Sequence, residues 1–431
     1  MSKRARICLV VAALALAANL AVGYRVYSAE AQAANEEEAF EKISVMMRVI
    51  QLIRKDYIDA DKVAYESLVY NALHGMVNSL DPFSDFMPPD QLKEMMEETE
   101  GEFGGLGVIV TMRDDWLTVM SPMEGTPGFR AGLQPGDRIV RIGGTPTEGM
   151  KINEAVGLLK GKPGTAVTIT LHRPRQDETW DVTIVREMIP VVSVKDDRLI
   201  EGTKVGYVQM LQFNDPTAQE LETKLKSLLE QGAESIVLDL RNNPGGLLTS
   251  AADVCSLFLK PGLLVVSTEG RRPSQKQELK VSARGWRIPD KTPVAILVNG
   301  GSASAAEIVA GCLSDHGRAI LVGERTFGKG SVQNVVDLPD GSALRLTTAM
   351  YYTPSRRVIH RNGILPDLEV VLSDEEYRQF ALAAAAIAGV DEAVVAKDRQ
   401  LERAVEALQN GEAKPGRIRP AQTASRPPAE P

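Results

Sequence analysis

An α/β core, preceded by a helical region and interrupted by a smaller strand-rich domain, is the fold class predicted by three changes of texture along the chain. From about Val191 onward, strands and helices alternate. Between Glu102 and about Glu187 the pattern is of short alternating strands separated by turns. From Asn35 to about Thr99, apolar residues recur near the 3.6-residue period of a helix. The 431 residues, 44% hydrophobic and 25% charged, suit a folded protein of two or three domains and exclude disordered, collagenous and multi-span membrane classes.

Taken in order, Lys3, Arg4 and Arg6 precede a stretch of 16 weakly polar to apolar residues, Ile7 to Val22, and Ala31-Gln32-Ala33 follows. This is the layout of a secretory signal cleaved after Ala33; sixteen residues fall short of the roughly 20 that a spanning helix needs, although an uncleaved anchor would export the protein equally. Ile43, Met46, Met47, Ile50, Leu52 and Ile53 form one helical stripe, and Val69, Leu73 and Met76 continue it. Leu80-Asp81-Pro82 ends that run, and Met87-Pro88-Pro89-Asp90 opens another helix with Asp90 as its cap. Strands are expected at Trp116–Met120, Arg138–Ile142, Ala166–His172 and Asp181–Val185, with one helix over Asn153–Lys160. The core then reads as strand Lys204–Gln209, helix Thr217–Gln231, strand Ser235–Leu240, a helix after Gly246, strand Val294–Val298, helix Ala305–Asp315 and strand Ile320–Gly323. Boundaries fall at 1–33 for the signal or anchor, 34–100, 101–188, 189–390, and 391–431 for a carboxyl-terminal helix and a tail without apolar period from about Gly411.

Several chemistries are excluded early. A net charge of -8 and only 5% aromatic residues leave neither the basic footprint nor the stacking platforms of a nucleic-acid binder. Cys8, Cys255 and Cys312 show no metal or redox spacing, and His74, His172, His316 and His360 stand singly, so no zinc enzyme is indicated.

The segment Val298-Asn299-Gly300-Gly301-Ser302-Ala303-Ser304-Ala305-Ala306-Glu307 joins a strand to an apolar helix through glycines and small residues. Either serine there can cap the helix, or stand on a sharp turn beside first-turn N–H groups that lack internal partners and can hold an oxyanion. Gly323-Glu324-Arg325-Thr326-Phe327-Gly328-Lys329-Gly330 sets a lysine between glycines, where another backbone can approach closely; a desolvated lysine can act as the base for a serine. The same octet almost spells a phosphate-binding loop, but Gly330 has no hydroxyl for magnesium, and Ser331–Val336 reads as a strand where that loop needs a helix. Arg241-Asn242-Asn243-Pro244-Gly245-Gly246 is a second glycine-rich loop, at the end of a central strand where α/β proteins place ligands. Gly101 to Val108 lacks the third glycine of a dinucleotide fingerprint and suits capture of a peptide carboxylate.

In series, Ser79-Leu80-Asp81-Pro82, Gly104-Gly105-Leu106-Gly107, Ala131-Gly132-Leu133-Gln134-Pro135-Gly136-Asp137, the Arg241–Gly246 loop, Ser302-Ala303-Ser304-Ala305 with Glu307-Ile308, and Gly323-Glu324 through Lys329 to Gln333 resemble the carboxyl-terminal processing peptidases. The resemblance spans roughly Ile43 to Val371 and implies a crotonase/Clp-like α/β protease core with an inserted PDZ domain. It implies Ser304 as nucleophile, Lys329, 25 positions later, as general base, and Gln333 orienting the lysine amine. Gly245 and Ala305 would supply oxyanion N–H groups, Gly105, Leu106, Gly107 and Val108 the carboxylate loop of the PDZ domain, and Lys160, where many relatives have arginine, a regulatory contact. Asp315 matches an acidic position after the nucleophile helix, and Phe83 stands where many relatives have histidine. The implied substrates are exported proteins with exposed apolar carboxyl-terminal tails; an adaptor and a homodimer through the amino-terminal helices are the implied partners, and no metal or organic cofactor is needed. Two rival classes share these features in part: a noncatalytic PDZ-bearing adaptor or chaperone, and an acyl-CoA enzyme on the same superfold.

Overall fold

The structure is a computed structural model that describes residues 39–283, 285–373, 375–378 and 398–412; the expected signal or anchor and the tail beyond 412 lie outside them. The chain divides into two units, Met1–Phe86 and Met87–Pro431.

In the first unit, helix α1 runs over residues 39–56, a short 3-10 turn over Ala60–Lys62, and α2 over Tyr65–Asn78. After α2 the Asp81 carboxylate accepts the N–H groups of Phe83 and Ser84 at 2.8 and 2.9 Å, closing the turn expected at Leu80-Asp81-Pro82. A short strand, β1 (Asp85–Met87), spans the boundary between the units. Along α1 the stripe residues Ile43, Met46, Met47 and Leu52 are exposed, Ile43 to 55%, whereas Ile50 is buried.

The second unit opens with α3 (Pro89–Glu100). Asp90 is not its cap; Pro88 is, and Pro89 takes the first helical position, where a missing N–H costs nothing, so Asp90 sits in the first turn. The strand-rich domain follows. Its main sheet has the order β3 (Val108–Arg113), β4 (Trp116–Pro122), β5 (Arg138–Ile142), β7 (Ala166–Arg173), β8 (Glu178–Val185), with β6 (Thr145–Pro146) on β5. A separate pair, β2 (Glu102–Gly105) with β9 (Glu187–Pro190), closes the domain at its root. Leu117, Ile139, Ile142, Ile169 and Leu171 form its core, packed with Ala155 and Leu159 of helix α5 (Ile152–Leu159); a one-turn helix α4 (Pro127–Arg130) precedes α5.

The core domain is built on a six-stranded sheet ordered β10 (Val194–Leu199), β11 (Val205–Met210), β12 (Ser235–Asp239), β15 (Val294–Val298), β16 (Ile320–Gly323) and β19 (Leu368–Glu369). Only β10 is antiparallel to its neighbour. Every residue of β12 and β15 is buried, as continuous apolar runs in a two-sided parallel sheet should be. One face carries α6 (Thr217–Glu230), α7 (Leu248–Ser256) and α8 (Ala305–Asp315). The other carries the carboxyl-terminal helix α9 (Arg399–Gln409). A second antiparallel sheet, β14 (Gln277–Lys280), β13 (Leu264–Gly270), β18 (Ala343–Tyr352) and β17 (Ser331–Asp337), flanks the first.

Candidate active site

Three loops leave the carboxyl ends of adjacent parallel strands: Leu240–Leu247 after β12, Asn299–Ser304 after β15 and Glu324–Gly330 after β16. The two serines of the middle loop have different jobs. Ser302 is fully buried, donates its hydroxyl to the Leu240 carbonyl at 2.8 Å and accepts the Asn299 N–H at 3.0 Å, so it ties loop to strand. Ser304 heads α8 with φ 53° and ψ -114°, a backbone that non-glycine residues rarely adopt, and remains 8% accessible. The buried Tyr351 phenol has its pKa pushed up to about 12 by burial, against the opposing effect of the Ser304 hydroxyl.

The strained turn and the lysine loop are held by one carboxylate. Glu307, fully buried in the first turn of α8, accepts the Ser304 N–H at 2.9 Å and the Lys329 N–H at 2.8 Å on Oε2. Its Oε1 accepts the Thr326 hydroxyl at 2.5 Å and the Gly328 N–H at 2.8 Å. Burial pushes this carboxyl above its ordinary range, against the pull of those four hydrogen bonds. Glu307 lies within the Ser302–Ile308 motif, but nothing in the local sequence marks it as a tie between two loops, and Tyr351 lies outside every motif.

Lys329 is half-buried. Burial pushes its amine below the ordinary lysine value, the positive charge of Arg345 adds to this, and Glu307 opposes it. The close approach expected beside this lysine is present: a Cβ on Gly330 would lie 2.2 Å from the His360 backbone nitrogen. Gln333, on β17, donates Nε2 to Ser331 Oγ at 2.9 Å and Thr347 Oγ1 at 3.3 Å, which fixes the carboxamide. If the neutral amine is the base, activity rises with pH as Lys329 loses its proton. Arg345→Gln removes a charge that disfavours the ammonium form, so Lys329 binds its proton more tightly and the acidic limb of the kcat/KM profile moves to higher pH. A pH–rate profile of the two proteins checks this, and a shift to lower pH would contradict it.

The oxyanion groups are arranged differently from expectation. No described residue accepts the Ala305 N–H, as suits a first-turn donor at a helix start. The Gly245 N–H, in contrast, is donated to Asn243 Oδ1 at 2.9 Å, and fully buried Asn243 is itself fixed by Nδ2 donating to the Met210 carbonyl at 2.9 Å. Gly245 is engaged by an Asx turn, so the assignment of a free oxyanion donor to it is corrected. What Gly245 contributes is absence of a side chain: at φ +100°, a Cβ there would stand 2.7 Å from Ser304 Cβ and 2.9 Å from the Ala305 nitrogen. The next residue, Gly246, is bridged to Phe213 through the Gly245 carbonyl and the Leu247 N–H, which turns its own N–H to the side away from Phe213, and no described residue accepts it.

A family model for peptidase family S41 matches residues 204–370, and a PDZ domain model matches residues 118–173. The carboxy-terminal-processing protease of Bartonella bacilliformis is 41% identical over 340 residues, 78% of this chain and 76% of that protein. The chain belongs to peptidase family S41. The carboxy-terminal processing protease CtpA of Bacillus subtilis is 36% identical over 343 residues, 79% of this chain and 71% of its own. Among solved structures, the photosystem II D1 C-terminal processing protease matches 75% of this chain and 92% of its own at 30% identity, with a TM-score of 0.43. The protein is thus a serine-type peptidase of the carboxy-terminal processing kind, an α/β protease core with an inserted PDZ domain.

In the PDZ domain of this S41 peptidase, β3 is the outer edge of its sheet, open to an added strand. The loop Gly105-Leu106-Gly107-Val108 precedes it; the Leu106 carbonyl accepts the Gly128 N–H at 2.7 Å and the Gly107 carbonyl the Met123 N–H at 2.8 Å, while no described residue accepts the N–H groups of Leu106 and Gly107. Lys160 closes α5, with Nζ 3.0 Å from Glu97 Oε2 on α3 and 4.7 Å above the Phe103 ring. Asp315 accepts the Ser355 N–H at 2.9 Å and pairs with Arg357, so it anchors the Thr353–Arg357 turn.

Proposed function

We propose that this peptidase takes the exposed apolar carboxyl-terminal tail of an exported protein into its PDZ groove and cuts peptide bonds with Ser304 and Lys329 through an acyl-enzyme. The observation that carries the reading is the Glu307 carboxylate, which binds the backbone N–H groups of Ser304 and Lys329 at once and so fixes nucleophile loop against base loop. Neutral Lys329 takes the Ser304 proton as Oγ attacks the scissile carbonyl. The oxyanion is held by the Ala305 N–H, with Gly246 the available donor of the facing loop. Collapse expels the amine, which leaves with the proton from the Lys329 ammonium. Water, deprotonated by Lys329, then hydrolyses the acyl-enzyme and restores Ser304. Gln333, held by Ser331 and Thr347, presents its carboxamide oxygen toward the amine without adding a charge that would raise its pKa.

The tail pairs with the free edge of β3 while its carboxylate meets the N–H groups of Leu106, Gly107 and Val108. Lys160 ends the helix that borders this groove, and its contact with Glu97 passes groove occupancy to α3. An adaptor presenting such a tail would use the same groove. The exposed apolar stripe of α1 pairs two copies, and the basic residues before Ile7 to Val22 direct export to the periplasm, free or tethered. The test is cleavage of a reporter protein with an apolar tail, set against the same reporter whose tail ends in acidic residues. Loss of the groove contacts, about 1.4 kcal/mol or more, should lower kcat/KM about tenfold or more for the acidic tail. Equal cleavage of both would remove the PDZ groove from substrate choice.

A further inference from the structure

Helix α9 packs Ala404, Ala407 and Leu408 among Tyr207, Val237, Ala295, Leu297 and Val322, on the sheet face opposite α8. That packing explains the body of the helix. Its first turn does something else. Asp398, the helix cap, accepts the Leu401 N–H at 3.0 Å and also grips Arg241 with both oxygens, Nη1 to Oδ1 at 3.0 Å and Nη2 to Oδ2 at 2.8 Å. Gln400, fully buried, accepts from Arg241 Nη1 at 3.1 Å and donates Nε2 to Glu324 Oε1 at 3.2 Å and to the Val370 carbonyl at 2.9 Å.

Arg241 and Glu324 are not arbitrary anchors. Arg241 leads into the Asn242–Gly246 loop, and its guanidinium is also fixed by buried Asp239, which accepts from Nη2 at 2.6 Å and from the Tyr207 hydroxyl at 2.8 Å. Glu324 opens the loop that ends in Lys329. These loops leave β12 and β16, which flank β15 in the sheet and so stand two strand spacings apart, about 10 Å. The loop of β15, between them, carries Ser304. Glu307 ties the Ser304 loop to the Lys329 loop from the α8 side, and the first turn of α9 ties the outer two from the opposite side.

We propose that the first turn of α9 is a clamp on the catalytic loops, with Asp398 and Gln400 as positioning residues that hold the Gly245–Gly246 loop and the Lys329 loop at their working separation. The proposal rests on the Ser304–Lys329 reading. A buried ion pair that served stability alone would lower the folded fraction without changing turnover per folded molecule. A clamp predicts the reverse split, because displacement of a loop by a fraction of an ångström is felt in kcat before it is felt in folding.

The experiment compares full-length Asp398→Asn and Gln400→Ala with Leu408→Ala, which loosens the same helix through packing alone. Steady-state kinetics on a tail peptide, thermal unfolding, and the rate of Ser304 modification by a fluorophosphonate are measured on the same samples. The clamp predicts that Asp398→Asn and Gln400→Ala lower kcat about tenfold or more, leave KM within about twofold and slow modification of Ser304. Leu408→Ala should lower the unfolding midpoint and keep wild-type kcat below it. Wild-type kcat and modification rate in Asp398→Asn and Gln400→Ala would overturn the proposal, as would losses that follow the folded fraction. If the wild-type chain were modified elsewhere than at Ser304, the dyad reading would fall, while the kcat comparison would still decide the clamp.

Discussion

Ser304→Ala and Lys329→Ala should each lower kcat by about 10⁴-fold or more, and the double variant should lose little beyond either single one. The reason is that one proton passes between the two groups. Without the base, the Ser304 hydroxyl is too weak a nucleophile, and without the hydroxyl the base has nothing to activate. Neither change removes a residue of the hydrophobic core, so both proteins should keep the wild-type unfolding midpoint within a few degrees. Kinetics of the three variants on one tail peptide provide the check, and losses that multiply in the double variant would mean that the residues act independently.

The second large effect belongs to Glu307. Glu307→Gln keeps size and shape but turns one oxygen into a donor. In one orientation the new amide faces the N–H groups of Ser304 and Lys329, and in the other it faces the Thr326 hydroxyl and the Gly328 N–H. In the first, two buried donors meet a third; in the second, the Gly328 N–H meets a donor and the Thr326 hydroxyl, which already accepts the Ile364 N–H, loses its own acceptor. At about 1–3 kcal/mol for each of the two buried donors left unsatisfied, roughly 2–6 kcal/mol of stability is lost, and the shift of the Ser304 turn should reduce kcat about 10²-fold in the molecules that remain folded. The pH profile separates position from charge. Glu307 opposes the lowering of the Lys329 pKa, so its neutralisation moves the acidic limb to lower pH even as the rate falls. Glu307→Gln protein of wild-type stability and activity would remove Glu307 from its place at the site.

Much of this was legible in the chain. The strands Arg138–Ile142, Val294–Val298 and Ile320–Gly323 and the helix Ala305–Asp315 lie where apolar runs and glycines put them, since a buried parallel strand and a capped apolar helix each leave a local signature. The candidate nucleophile, base and loops could be named because each sits in a short segment of unusual composition. What could not be read are partners brought together by the fold. Glu307 meets Thr326, Gly328 and Lys329 from 19 to 22 positions away, and Arg241 meets Asp398 across 157, with nothing in the local sequence to mark either pairing. Asn243 looked like a turn residue and is one, but its turn takes up the Gly245 N–H, a backbone detail that residue types do not disclose. Asp90 failed as a cap because Pro89 beside it already starts the helix.

The central claim, that Ser304 is the nucleophile, is tested most directly by modifying the wild-type protein with a fluorophosphonate and mapping the adduct by peptide mass spectrometry. A single adduct on Ser304, lost in Ser304→Ala and greatly slowed in Lys329→Ala, is the predicted result. An adduct on Ser302, whose hydroxyl is here bonded to the Leu240 carbonyl, or a Ser304→Ala protein that still reacts and cleaves, would contradict it.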